Sequence, residues 1–185
     1  MSRVARFMAW CYNGLGSASR RADEWVRVDD ERSGTMILIS ACLVGFHTQW
    51  NGGSNRVDEL VELVKSGQAV FLCPEQLGGL TTPREPAEIE PGKTAKDVLE
   101  GKARVLTNTG RDVTEQYVAG ARETLAFCVQ TGIETAILAA RSPSCGSRER
   151  YDGTHSGTLR PGRGVTAELL MQNGIRVYNQ ANSPG

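Results

Sequence analysis

Four short apolar runs, Met36–Ser40, Ala69–Cys73, Thr135–Ala140 and Ile175–Tyr178, recur along this chain with helix-forming stretches between them. Runs this short, bounded by glycine-bearing loops and apolar at successive positions, read as strands buried on both faces. The stretches between them change period. Val57, Leu60, Val61 and Val64 fall at helical spacing, and Gly67 marks a stop. Asp112-Val-Thr114-Glu opens a second helix, with Thr114 as the expected N-cap, amphipathic from Tyr117 to about Gln130 and ended by Gly132. A third spans Val165–Gln172 and is closed by Gly174. Strands alternating with helices predict an α/β fold: a mostly parallel, doubly wound sheet with helices on both faces, in a single domain over residues 36–185. The rest is less regular. Pro74 to Pro86 reads as a long loop, Thr94–Glu100 as one or two helical turns, Arg104–Asn108 as a minor strand, and Arg141–Gly164 as a long loop.

Residues 1–35 stand apart, being polar, arginine-rich and without sustained periodicity. They read as an extension, either an accessory or disordered tail ahead of a start at Met36 or a short helix docked through Trp10, Tyr12 and Trp25. Charge narrows the function. Lys+Arg and Asp+Glu both number 21, so the chain has no field for coating a large nucleic acid or gripping an anionic membrane. A small nucleobase needs only a pocket and stays compatible. No apolar run approaches bilayer length. Five cysteines, an odd number, fit a disulfide framework poorly, and the first residues lack a secretory h-region with a cleavage site. The expected compartment is the reducing cytoplasm.

Cys42, Cys73 and Cys145 share one property: each lies at or just beyond the C-terminal end of a predicted parallel strand. Ligands of open α/β sheets bind outside those ends, so the topology brings the three thiols to one place. Structural zinc prefers a fourth ligand and closely paired cysteines; the chain has no C-x-x-C, though His47 or His155 would complete a Cys₃His set. A four-iron cluster on three cysteines leaves one iron without a protein ligand, free to act as a Lewis acid toward substrate. Unrelated buried thiols are the plainer alternative, and Cys128, on the face of Ala121 and Leu125, fits it. Cys11 has no assignment. Cys73-Pro-Glu75 sets a carboxylate two residues from one thiol, a candidate general acid or base. Arg141-Ser-Pro-Ser-Cys145 sets the hydroxyls of Ser142 and Ser144 beside another, as proton relays or as simple turn caps.

Ser40-Ala-Cys42-Leu-Val-Gly45, Cys73-Pro-Glu-Gln-Leu-Gly-Gly-Leu80, Thr82-Pro-Arg84 with Pro86-Ala-Glu88-Ile, Asp112-Val-Thr114, Arg141-Ser-Pro-Ser-Cys145-Gly and Tyr151-Asp-Gly153 together resemble the TudS-type thiouracil desulfidase family. The resemblance covers about Met36 to Tyr178. It implies a Rossmann-like fold carrying a 4Fe–4S cluster on Cys42, Cys73 and Cys145, and conversion of 2-thiouracil to uracil with release of sulfide and no net redox change. It further implies Glu75 as catalytic acid/base and Ser142 as catalytic serine, with Ser144 the weaker match. The implied reaction binds thiocarbonyl sulfur at the open iron and uses water activated by Glu75. The glycines at 78, 79, 146 and 153 would let backbone amides approach a planar ring, and Arg84 and Arg141 are candidates for its polar edge. The expected partner is a small thiolated nucleobase, with a sulfide acceptor as a further candidate, and the cluster would be oxygen-sensitive. Two other readings are a sulfur transferase acting on a nucleobase or tRNA, and a non-catalytic metal- or cluster-binding sensor.

Overall fold

The first apolar run forms β1 (Ile37–Ser40), which turns through one 3₁₀ turn, Ala41–Val44, before helix α1 (Asp58–Lys65) and β2 (Ala69–Leu72). Next come α2 (Pro74–Leu77), β3 (Ala87–Ile89), α3 (Ala95–Leu99), β4 (Val105–Thr107) and the long α4 (Thr114–Thr131). The chain closes with β5 (Thr135–Leu138), β6 (Glu149–Tyr151), β7 (Leu159–Pro161), α5 (Val165–Gln172) and β8 (Arg176–Asn179). This computed structural model describes residues 36–181; the N-terminal extension, with Trp10, Cys11, Tyr12 and Trp25, lies outside the described residues.

The four apolar runs pair in the order β2-β1-β5-β8, every pair parallel. Leu38 and Ile39 of β1 and Leu138 of β5 are fully buried, as strands covered on both faces require. Each such side chain contributes roughly 1.5–3 kcal/mol by leaving water. Because parallel strands are joined by right-handed crossovers, this strand order puts α1 over one face of the sheet and α4 and α5 over the other. From β1 the chain steps outward to β2, then returns across to β5 on the opposite side. The strand order therefore reverses between β1 and β5, the topological switch point at which open α/β sheets bind ligands. Behind α4 a second apolar cluster joins Ile89, Val98, Val105, Val113, Tyr117, Ala121 and Val165.

The structure departs from the sequence expectation in three places. The loop after Cys73 begins with the single helical turn α2, and directly after Pro86 comes the unanticipated β3, which pairs antiparallel with β4. The Arg141–Gly164 loop contains the β6–β7 hairpin. Strands of three residues are too short to express a period in sequence. Thr114 is the first helical residue and not the N-cap, which is Val113. Asp112 accepts the Thr114 backbone N–H at 2.9 Å, while the Thr114 hydroxyl accepts the N–H of Val105 at 2.9 Å, tying α4 to β4.

Candidate active site

Cys42 lies in the 3₁₀ turn after β1, Cys73 is the residue between β2 and α2, and Cys145 follows β5 across a tight loop. All three thiols are buried and unpaired. Cys145 Sγ accepts the Ser40 hydroxyl at 3.5 Å, and Ser40 Oγ itself accepts the Ala139 N–H at 3.0 Å, so the last residue of β1 fixes the loop after β5. Cys73 Sγ points at the Thr48 carbonyl, 3.9 Å away.

Glu75, on the first turn of α2, brings a carboxylate to this place with its side chain 11% exposed. One oxygen, Oε2, accepts from Arg84 Nε at 2.7 Å, and Arg84 Nη2 closes on the same atom. The other, Oε1, accepts the Ser142 hydroxyl at 3.1 Å. Arg84 is itself held by the carbonyls of Thr48 and Thr81 and the hydroxyl of Thr82. Ser142 Oγ accepts the N–H groups of Ser144 and Cys145 at 3.0 and 3.1 Å, so it caps its turn and faces Glu75 at once. Ser144 turns the other way: its hydroxyl pairs with Thr166 at 2.8 Å beneath α5. Arg141, exposed, adopts a left-handed backbone (φ 64°), a strained conformation for a long side chain that reverses the chain between β5 and Ser142.

Electrostatically the site is crowded with acid. Burial, then the neighbouring Cys73 and Glu75, pushes the Cys42 thiol up to about 12. Burial followed by Glu75 raises Cys73 and Cys145, and Cys145 also feels Cys73 and Cys42. Burial works against the charge of Arg84, but Glu75 and Cys73 outweigh it and its pKa rises. Three thiolates beside a carboxylate, with one arginine to balance them, would be untenable without further positive charge; a group binding all three thiolates would supply it. The donor set, thiolates only and soft, fits an iron–sulfur cluster. Among the described residues no three His, Cys, Asp or Glu side chains close on a single metal ion. Neither histidine joins the cysteines: His47 Nδ1 lies 2.9 Å from the Gly52 carbonyl, and His155 Nδ1 lies 3.6 Å from Glu88.

Sequence reasoning missed Tyr117. It is 3% exposed, and burial, then Glu75, raises its pKa well above the ordinary phenol value, with Arg84, Cys145 and Cys73 also within reach. The approach that brings it there is glycine on glycine. A Cβ on Gly78 would stand 1.9 Å from the Gln116 carbonyl, and one on Gly120 2.0 Å from that of Pro74, so α2 lies backbone to backbone against α4. Internal packing thus gives Gly78, Gly146 and Gly153 a reason to be glycine that needs no ring beside them. Cβ atoms at 146 and 153 would strike the carbonyls of Ser142 and Ile89, at 2.8 and 2.3 Å, so internal contacts already occupy that space. No neighbour could have signalled Tyr117, whose helical spacing reads as core.

The family described as 2-thiouracil desulfurase matches residues 37–182. "Uncharacterized protein YbbK" of Bacillus subtilis (strain 168) is 48% identical over 145 residues, which are 78% of this chain and 95% of that protein. A solved structure of a 4Fe–4S-dependent thiouracil desulfidase, TudS, superposes with a TM-score of 0.70 at 38% identity, covering 79% of this chain and 91% of its own.

Proposed function

This chain belongs to the 2-thiouracil desulfurase family, and on that premise we propose that it is an iron–sulfur-dependent enzyme converting 2-thiouracil to uracil, with Cys42, Cys73 and Cys145 as cluster ligands. The observation that carries the reading is one junction. Three buried thiols from three parallel strand ends lie within electrostatic reach of a carboxylate already bonded to a serine and an arginine.

The chemistry the cluster supplies when bound is Lewis acidity, at an iron lacking a protein ligand, toward a soft thiocarbonyl sulfur. The chain's own residues supply the rest. Glu75 takes a proton from water, whose oxygen forms a bond to the ring carbon bearing sulfur. The carbon–sulfur bond then breaks, sulfur departs as hydrosulfide, and the ring keeps the new carbonyl; no electrons enter or leave. Arg84 holds the carboxylate in register through two N–H donors on one oxygen. Ser142, donating to the other oxygen, is placed to pass the proton onward. Ser144, bonded to Thr166, supports the loop. The sulfur leaves as free hydrosulfide or to an acceptor. Four described cysteines, buried and unpaired, support the reducing cytoplasm as the compartment, and no helix among the described residues is long and apolar enough to cross a membrane.

The test is iron, acid-labile sulfide and zinc content on protein purified and reconstituted without oxygen, with 2-thiouracil turnover on the same sample. About four irons per chain with uracil and sulfide formed is the expected result. Zinc without a cluster, or a cluster without turnover, rejects respectively the site and the substrate.

A further inference from the structure

Shortly past Cys145 the chain enters the wall of a cavity of about 440 Å³, between the start of α3, the start of α5 and the β6–β7 hairpin. Its lining includes three cations, Lys96, Arg148 and Arg163, and one acid, Glu168. That acid is already taken, by Arg163 at 3.0 Å and by Gln172 at 2.9 Å. Lys96 reaches Glu100 at 3.8 Å, a loose exposed pair. The Arg148 side chain has no partner among the described residues.

Two buried polar atoms at the same wall are unpartnered. Ser147, 8% exposed, lines the cavity, and its hydroxyl oxygen makes no hydrogen bond. Arg150, 2% exposed, stands against Gly162, another lining residue: a Cβ there would come 3.4 Å from Arg150 Nε, the nitrogen of that guanidinium left without an acceptor. The other two nitrogens donate to the carbonyls of Tyr151 and Lys93, so no carboxylate is bonded to this buried cation. Burial, then Arg160, works against its charge, and Glu88 and Asp152 offset that only in part. A buried cation without a bonded anion is costly, as is an unpaired hydroxyl. An oxyanion in the cavity would answer both, accepting from the hydroxyl and from the lining cations while its charge lies against Arg150. The volume falls in the range of small-molecule sites and exceeds a single phosphate, so it also admits an organic remainder.

We propose that this cavity is a binding site for a phosphate group, held by Ser147, Arg148 and Lys96 and balanced by the buried charge of Arg150. It shares no residue with the Glu75–Ser142 junction, and it does not depend on the desulfidase reading.

The experiment titrates inorganic phosphate into the full chain, purified without oxygen, by calorimetry in a buffer free of other oxyanions and at constant ionic strength. Glycerol phosphate is titrated in parallel. The variants are Ser147→Ala, Arg148→Gln and, as a control for surface charge, Lys102→Gln, an exposed lysine outside the cavity. Saturable binding is expected, weakened roughly tenfold in Ser147→Ala and in Arg148→Gln and unchanged in Lys102→Gln. Should Ser147→Ala lower Tm, Arg148→Gln decides alone, because that side chain has no contact to lose. Tighter binding of glycerol phosphate would show that the group arrives on an ester; otherwise the free ion suffices, and either result supports the site. Absence of saturable binding overturns the proposal. So does binding that both cavity variants leave intact, or an equal loss in Lys102→Gln, which would reduce the effect to surface charge. Phosphate that competes with 2-thiouracil in turnover would place the anion at Glu75 and Arg84 and overturn it too.

Discussion

Glu75 commits both carboxylate oxygens inside the protein, so each neighbour has a separable effect. Removing the carboxylate by Glu75→Ala should lower kcat by about 10²–10⁴, the usual contribution of a positioned general base, while iron per chain is unchanged. Wild-type turnover in that variant would end the general-base assignment. Ser142→Ala loses the bond to Glu75 and two backbone caps together. It should reduce turnover and also cost about 1 kcal/mol of stability, visible as a lower denaturant midpoint. The thiols make a pH prediction. Burial raises Cys42 in the folded chain from the ordinary 9.0 to about 12. A raised thiol pKa contributes stability that is fully present below the unfolded value. That contribution is lost as pH rises, because the unfolded chain gives up the proton first. Iron-free protein should therefore lose stability progressively above about pH 9, checked by urea midpoints from neutral to alkaline pH. A flat profile would mean that Cys42 is not sequestered as the fold implies.

At the scale of elements, the α2–α4 contact decides whether the site exists. Four residues of α2 carry Glu75, and their place depends on α4 lying backbone to backbone against them through Gly78 and Gly120. Gly120→Ala would drive a methyl into the Pro74 carbonyl, so about 2–3 kcal/mol of stability should be lost to overpacking, together with most turnover. Gly92→Ala is the control. It meets no atom within 4 Å, so its cost is that of the left-handed φ of 75° alone, about 1–2 kcal/mol of stability, with turnover kept. Equal effects from the two substitutions would show that the helix contact is not what holds Glu75. A second device ties the hairpin down. Glu88 of β3, buried, accepts the backbone N–H of Gly153 at 2.8 Å and of His155 at 3.2 Å. Two sequence motifs 65 residues apart, Pro86-Ala-Glu88-Ile and Tyr151-Asp-Gly153, thus meet in one hydrogen-bonded turn.

For the whole molecule, residues from Met36 onward contain every residue assigned a role and all of the family match. A chain beginning at Met36 should therefore fold, take up iron and clear 2-thiouracil at the rate of the full chain, measured side by side without oxygen. Loss of iron or turnover in that variant would give residues 1–35 a part in the site. The alternation of strand and helix was legible from the sequence, as were the three cysteines at strand ends and the carboxylate beside Cys73. These signals are local: apolar period follows from which faces are buried, and parallel topology carries strand ends to a common edge. The same locality explains what stayed hidden. Strands of three residues have no period to read. Ser142 and Ser144 have equal claims in sequence, and the fold turns one to Glu75 and the other to Thr166. Tyr117 has the spacing of an ordinary core residue, and it comes within electrostatic reach of Glu75 because two glycines let α2 and α4 touch. Sequence by itself determined the elements and the chemistry carried at their ends. Only the tertiary structure decided which polar groups face one another, because that depends on helix approach and loop reversal across tens of residues, which no local pattern encodes.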